Sequence, residues 1–495
     1  MRQSVHMLTQ QYLPLLAPGI DGMTNRRLTR RNVLTAAGAV GIAGLAGCTG
    51  NGNDDNNDTT SDSKDGNDAG TGGKTTMKDV SGTVKVGVLQ PISGSLKYYG
   101  QQSLWGFLSG LAYKADAKPK TGVKTGKTTV SVGDVDFELY VRDTKFKQAT
   151  AQKLATNLVK DQDVDMLFGC ASSSSATTVI KTVAKTAGVP YIAGPAASAD
   201  ITSNGETCNN LVFRASENTA MDARSGGKYV ATQTDVKKVY LFGADYSFGK
   251  AVVNNYEQVL KDEGVEIVGK KFVPQGHSEW KGLLDNAQKA GAQGIVGGFT
   301  VATLPNLFTE YLSGDYDYRV FGGFATQITN QVVGQTMQKV IGKPLTKEKI
   351  EKTKLGPFTT RYHWNQYDND INSSFVDSYT KAYGVVPDLF TSGTFTAASA
   401  IVQGVRESGS TKGTDIADAM RGMTVKDTPK GEDGYVFQKY NNQARSSMTV
   451  ANPVPTTDEW ADSWDAAVMP GKPLATIDGE EATIPKDASG MSCSL

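Results

Sequence analysis

Val164-Asp165-Met166-Leu167-Phe168-Gly169, Cys170-Ala171-Ser172-Ser173-Ser174-Ser175, and the run on through Gly188 to Val189-Pro190-Tyr191-Ile192-Ala193 decide the fold. The first six residues form a short apolar run closed by glycine, which predicts a buried strand. Ala176, Val179, Ile180, Val183, Ala184 and Ala187 then recur at three- and four-residue spacing, so one face of a helix is apolar, and Gly188 is placed to end it. Residues 189–193 predict the next strand. A strand, a crossover helix and a second strand within thirty residues imply a parallel sheet covered by helices.

Working outward, the same alternation continues in both directions. Residues 84–89 read as a strand, followed by a helix with Leu104, Leu108, Leu111 and Ala112 on one face. Residues 137–142 give another strand, followed by a helix carrying Ala151, Leu154, Ala155, Leu158 and Val159. The pattern restarts at residues 239–242, continues through a helix with Val252, Tyr256, Val259 and Leu260, and reaches strands at 265–273, 294–298 and 320–322. These observations define an α/β protein of two Rossmann-like lobes with parallel sheets and a hinge, joined near residues 213–218. Two such lobes enclose a cleft, and ligands of parallel sheets lie beyond the carboxyl ends of the strands. Beyond Gly356 the regularity weakens, with helices expected at 373–383, 394–408 and 414–421 and no clear place for residues from Asp458 onward.

The N-terminal part reads differently. Thr29-Arg30-Arg31-Asn32-Val33-Leu34 and the uncharged run 33–46 look like a twin-arginine export signal, too short to span a bilayer permanently. Leu45-Ala46-Gly47-Cys48 resembles a lipobox, which makes Cys48 the expected lipidation site. Residues before Met23 lack signal character, which makes Met23 an alternative start of translation. From Thr49 to about residue 80 the chain is Gly, Asn, Asp, Ser, Thr and Lys, a composition expected to form a flexible leash. The chain beyond it, roughly 410 of 495 residues, exceeds what one core usually supports. The expected organisation is an export signal at 1–47, lipidated cysteine and linker at 48–80, a first lobe from 81–214 with about 362–440, and a second from 215–361 with about 441–495.

Lysine plus arginine equal aspartate plus glutamate, 51 each, and no basic run lies outside the signal, so nucleic acid is not an expected partner. Of the four cysteines, Cys170, Cys208 and Cys493 remain after lipidation. Cys170 and Cys208 are the pair considered for a bridge, with buried free thiols as the alternative. His277 and His363, the only histidines after the signal, are too scattered for a zinc site, and no metal is expected. Gly276-His277-Ser278-Glu279-Trp280 lacks the closing glycine of a nucleophile elbow, and no P-loop or dinucleotide fingerprint follows a strand. Neither catalysis nor a cofactor is expected. Ser172 to Ser175 lie between a strand end and a helix start, where unpaired N–H groups and the helix dipole favour an anion; capping alone is the plainer alternative.

Residues 84–100 (VKVGVLQPISGSLKYYG), 143–159, 167–179 (LFGCASSSSATTV), 190–202 (PYIAGPAASADIT) and 242–249 (FGADYSFG) resemble, in order and spacing, the leucine/isoleucine/valine-binding proteins. These are type I periplasmic solute receptors of ABC importers, and the likeness covers residues 82 to about 440. The resemblance implies ligand contacts from Ser173, from Ala196 and Ser198 through backbone groups and a hydroxyl, and from Tyr99 as an aromatic wall. In the second lobe it points to Phe248 as a cleft-closing aromatic, to Phe299 and Thr300, and to Asp245, for which helix capping is the alternative. One position departs from the amino-acid-binding pattern: where relatives place a carboxylate for the ligand ammonium, this chain has Phe324. An enclosed ammonium without a counter-charge is costly; either Asp245 or another acid serves, or the ligand is not an α-amino acid. The implied function is a monomeric, lipid-anchored solute-binding protein that captures a small carboxylate-bearing solute, such as a branched-chain amino acid, and delivers it to a membrane permease. A ligand-sensing receptor of the same fold is the alternative.

Overall fold

The structure, a computed structural model, describes residues 80–495 apart from 324 and 325. The export signal, Cys48, all but the last residue of the linker and Phe324 therefore lie outside the described residues.

The first sheet contains β1 (Gly82–Gln90), β2 (Gly126–Val132), β3 (Val135–Asp143), β4 (Met166–Gly169), β5 (Tyr191–Ala193) and β6 (Val212–Arg214), in the order β2-β3-β1-β4-β5-β6. All neighbours are parallel except the β2–β3 hairpin. Val84, Val86 and Val88 point from β1 into one core layer and Leu89 into the layer on the other face, which explains the near-continuous apolar character of this strand. The hairpin strand β2 is absent from the sequence-based expectation, although Gly133-Asp134 marks a two-residue turn that sets Val132 opposite Val135.

Helix Lys97–Lys114 packs against helix Thr391–Ser408, whose residues are buried from Thr391 through Val405. A helix apolar or small on every side belongs inside a protein. The approach is close enough to require glycine: a Cβ on Gly106 would lie 2.6 Å from the carbonyl oxygen of Thr391, and one on Gly110 2.4 Å from that of Phe395. The helix therefore closes the first lobe although it comes from the C-terminal half of the chain.

The second sheet, β7 (Lys238–Ala244), β8 (Glu266–Val273), β9 (Gly294–Gly298) and β10 (Arg319–Val320), is wholly parallel in the order β10-β9-β7-β8. Its two faces are covered by separate apolar clusters, one around Phe242, Trp280 and Phe308, the other around Leu241, Val252 and Tyr256.

Between the sheets the chain crosses near Ser216–Thr219, again after Phe358–Thr360, and again before Met448–Ala451; the last two segments pair in a small antiparallel sheet with Ala475–Ile477. Buried ion pairs tie these crossings. Arg361 holds Asp222 with two hydrogen bonds, Nε to Oδ1 at 2.8 Å and Nη2 to Oδ2. Lys430 Nζ meets Glu217 Oε1 at 2.7 Å, and Tyr435 and Ser446 donate to the same oxygen. Burial acts to raise the Glu217 carboxyl, but Lys430 and the two hydroxyl or backbone donors outweigh it and hold it low.

One expectation needs correction. The disulfide joins Cys208 to Cys493, with Cα atoms 5.9 Å apart, and Cys170 is a buried free thiol that burial pushes up to about 12. The pairing was unreadable because it depends on where the end of the chain returns. Ser492 and Cys493 both donate backbone N–H groups to the Ser203 carbonyl of the first lobe, while Ser489 Oγ accepts from Gln258 Nε2 of the second at 2.7 Å. Ala444–Arg445 likewise pairs with Tyr435–Phe437 beside the first core.

Candidate functional site

The carboxyl ends of both sheets face a common cleft. β4 ends at Gly169, where φ is +131° and a Cβ would come within 2.3 Å of the Leu89 carbonyl oxygen, so only glycine allows the chain to turn there. The turn delivers Ser172, whose hydroxyl caps the following helix by accepting from Ser175 N at 3.4 Å. Ser173 begins that helix, Ser173–Val179, which runs on through a π turn at Ile180–Ala184 to Lys185–Ala187. The buried Ser173 Oγ accepts from Ser198 N at 3.1 Å, which joins the loop after β4 to the loop after β5.

Arg214, at the end of β6, fixes that second loop from behind. It is fully buried, and its guanidinium donates to the carbonyls of Ala196 (3.3 Å), Ser198 and Ala199 (3.4 Å), to Thr202 Oγ1 (2.8 Å) and to Gln443 Oε1 (2.6 Å). Burial, with Arg361 adding to it, lowers its pKa to about 9, so it keeps its charge at neutral pH. A charged residue in the otherwise apolar Val212-Phe213-Arg214 was the sequence signal for this role.

The cleft is lined by Tyr99, Phe146, Ala171, Ser173, Pro195, Ala197 and Phe390 on the first side, and by Tyr246, Phe248, Phe299 and Thr300 on the second. About 30 Å³ of it is open to the centre of a water molecule, room for about two waters. Tyr99 packs edge-on to Phe390 with ring centres 5.6 Å apart and at 6.3 Å from Phe146. Across the cleft Phe299 stands edge-on to Trp280 at 5.2 Å. Two hydrogen bonds span the gap: Val301 N donates to Tyr99 Oη at 2.9 Å, and the hydroxyls of Ser174 and Ser247 lie 3.0 Å apart.

A third link runs through Asp388, which is fully buried. Its Oδ2 accepts from Tyr98 Oη and, at 2.8 Å, from Gln327 N at the start of helix Gln327–Val340; its Oδ1 accepts from Leu389 N at 2.7 Å and faces His363 Nδ1 at 3.6 Å. Burial raises the Asp388 carboxyl to about 6, partly offset by these donors.

Of the residues expected at the site, Tyr99, Ser173, Phe248 and Thr300 come together at the cleft, with Phe299 beside them. Ala196 and Ser198 stand one residue to either side of the lining residue Ala197; the Ser198 hydroxyl is 3.2 Å from Asp200. Asp245 does not line the cleft: its side chain is 59 % exposed and pairs with Lys250 at 2.9 Å, because the strand end turns it toward solvent. Phe146, Tyr246 and Phe390 were not foreseen, since no local pattern distinguishes a cleft aromatic from a core one.

Two α/β lobes whose strand ends meet across an aromatic cleft form the architecture of a periplasmic binding protein. The periplasmic binding protein family matches residues 83–457, and the chain belongs to that family. It is 26 % identical over 312 residues to Leu/Ile/Val-binding protein homolog 6 of Brucella abortus (strain 2308), covering 62 % of this chain and 71 % of that one. Among solved structures, an ABC-type branched-chain amino acid transporter protein from Rhodopseudomonas palustris superimposes with a TM-score of 0.59 at 22 % identity, covering 81 % of this chain and 98 % of that one. A solute-binding protein from R. palustris in complex with benzoate does so with a TM-score of 0.63 at 19 % identity, covering 84 % and 100 %. No helix among the described residues is long and apolar enough to cross a membrane.

Proposed function

We propose that the protein is the solute receptor of an ABC importer, exported by its twin-arginine signal, held at the outer face of the membrane through Cys48, and built to capture a small carboxylate with an apolar body. Capture is by closure of the two lobes, which requires higher ligand affinity in the closed state. The observation that carries the ligand class is the lining of the cleft: six aromatic rings, the Ser173 hydroxyl and, among the described residues, no Asp or Glu.

A carboxylate suits the first wall, where the helix start presents N–H groups without intrahelical acceptors and Ser173 retains its O–H for donation. An α-ammonium does not suit it. Asp245 is engaged with Lys250 outside the cleft, and Asp388 with Tyr98, Gln327 and Leu389. An enclosed ammonium would lose its hydration without gaining a counter-charge, at a cost of several kcal/mol. The benzoate-bound neighbour and the Leu/Ile/Val-named relative represent the two ligand classes in question, and the lining favours the former. The test is a thermal-shift screen against aromatic and aliphatic carboxylates, their amides and the corresponding amino acids. A bound ligand at a hundred times its dissociation constant adds about 2.7 kcal/mol of stability. Shifts with carboxylates alone support the reading, and a screen in which nothing shifts the protein removes it.

A further inference from the structure

Behind Phe248 and Phe299 the second lobe contains a further cavity, lined chiefly by Val252, Ile295, Leu307, Phe308, Val333 and Phe358. About 60 Å³ of it is open to the centre of a water molecule, twice the value for the cleft itself. That is room for about four waters, and the walls are mostly apolar. The polar neighbours Thr329 and Asn330 are bonded within their own helix turn, Thr329 Oγ1 to Thr326 Oγ1 and Asn330 Nδ2 to the Thr326 carbonyl, both at 2.9 Å. Water would therefore find few partners there, while an apolar group would lose nothing.

Protein interiors rarely keep voids of this size, because a larger side chain at almost any lining position would fill them with a gain in contact. Gly323, whose φ of +63° itself favours glycine, borders the space: a Cβ there would meet nothing nearer than the Gly297 carbonyl oxygen at 3.6 Å. The cavity also adjoins the site, since Phe248 and Phe299 line both spaces and stand between them.

We propose that this cavity is a subsite for the far end of the ligand, so that the captured carboxylate is elongated: an aryl or alkyl body longer than a single ring, anchored at Ser173 and reaching between Phe248 and Phe299 toward Leu307 and Val333. The proposal rests on the cleft being the capture site. It makes the second lobe the wall that measures ligand length, while the first lobe reads the charged head.

The test titrates the full chain with benzoate, 4-propylbenzoate and biphenyl-4-carboxylate by calorimetry. Each methylene buried in the subsite tightens binding about fourfold, so 4-propylbenzoate is expected to bind at least tenfold more tightly than benzoate. Val333→Phe, which fills the cavity, should lower that ratio several-fold. Phe308→Ala, which enlarges the cavity, should raise the relative affinity of biphenyl-4-carboxylate. Benzoate binding with no gain for the longer probes overturns the subsite and leaves capture of short carboxylates standing. A ratio unmoved by both variants also overturns it. Failure of all three probes to bind overturns the subsite together with the cleft reading.

Discussion

On the first lobe the wall of the cleft joins three rings, Tyr99, Phe146 and Phe390, to a backbone loop fixed from behind by Arg214 and from the side by Ser173, whereas on the second two rings, Phe248 and Phe299, stand over an apolar cavity. The first wall is hydrogen-bonded through and has no slack; the second is held by packing and keeps open volume. A polar head demands donors placed to within a few tenths of an ångström, and only a network whose members fix one another supplies that. An apolar body needs area and shape, which rings over a void provide with more tolerance.

The largest effect is expected from removing the support of the first wall. Arg214→Met leaves the buried Ala196 carbonyl without a donor and takes one of two donors from the Ser198 carbonyl, which keeps Ile201 N–H, and from Gln443 Oε1, which keeps the Thr202 hydroxyl, and should cost about 2–3 kcal/mol in chemical denaturation. Binding should be lost with it.

Next comes the pH dependence of the link between the walls. The folded Asp388 carboxyl lies near pH 6, above the ordinary value of 3.8, so between these pH values the native state binds more protons than the unfolded one. Its contribution to stability is therefore greatest at low pH and declines as pH rises through about 6, by an amount on the order of 2–3 kcal/mol. Denaturation of Asp388→Asn across pH 4 to 7 should lack this decline; an unchanged slope would assign the pH dependence to other groups.

The contrast between the walls is sharpest for added volume. Gly194→Ala places a Cβ 2.9 Å from Phe168 Cε2 and 3.1 Å from Thr394 Cγ2, and should destabilise by about 1–3 kcal/mol. Ser173→Ala strands the buried Ser198 N–H and should cost about 1–2 kcal/mol, with a further loss of ligand affinity. Val333→Phe adds far more volume than Gly194→Ala but enters open space, so its cost should stay below about 1 kcal/mol. Equal costs for the two volume additions would erase the distinction between the walls.

The sequence pattern was informative where burial imposes a period. Strands β1, β4, β5, β7 and β9 and the helix containing Ala176, Val179 and Val183 were legible because each is apolar on the face or faces that the core requires. Segments whose partners lie far along the chain were not: Ala475–Ile477 joins a sheet with residues 358–360 and 448–451, and Cys493 returns to Cys208. At the site, the local pattern placed Ser172 to Ser175 between a strand and a helix, and only the family resemblance singled out Ser173 among them. Phe146 and Phe390 were invisible, because their position at the cleft follows from how two separate segments pack on Tyr99. Asp245 shows the converse failure, a chemically suitable residue in a suitable loop whose side chain points to Lys250 and solvent.

The central claim is that the cleft accepts a carboxylate and offers no partner to an ammonium. Calorimetric titration of the purified protein with 3-phenylpropionate and with phenylalanine, which differ only in the α-ammonium group, tests it most directly. 3-Phenylpropionate is expected to bind at least about a hundredfold more tightly, the equivalent of some 3 kcal/mol; tighter binding of phenylalanine would rule out a cleft without a counter-charge for the ammonium.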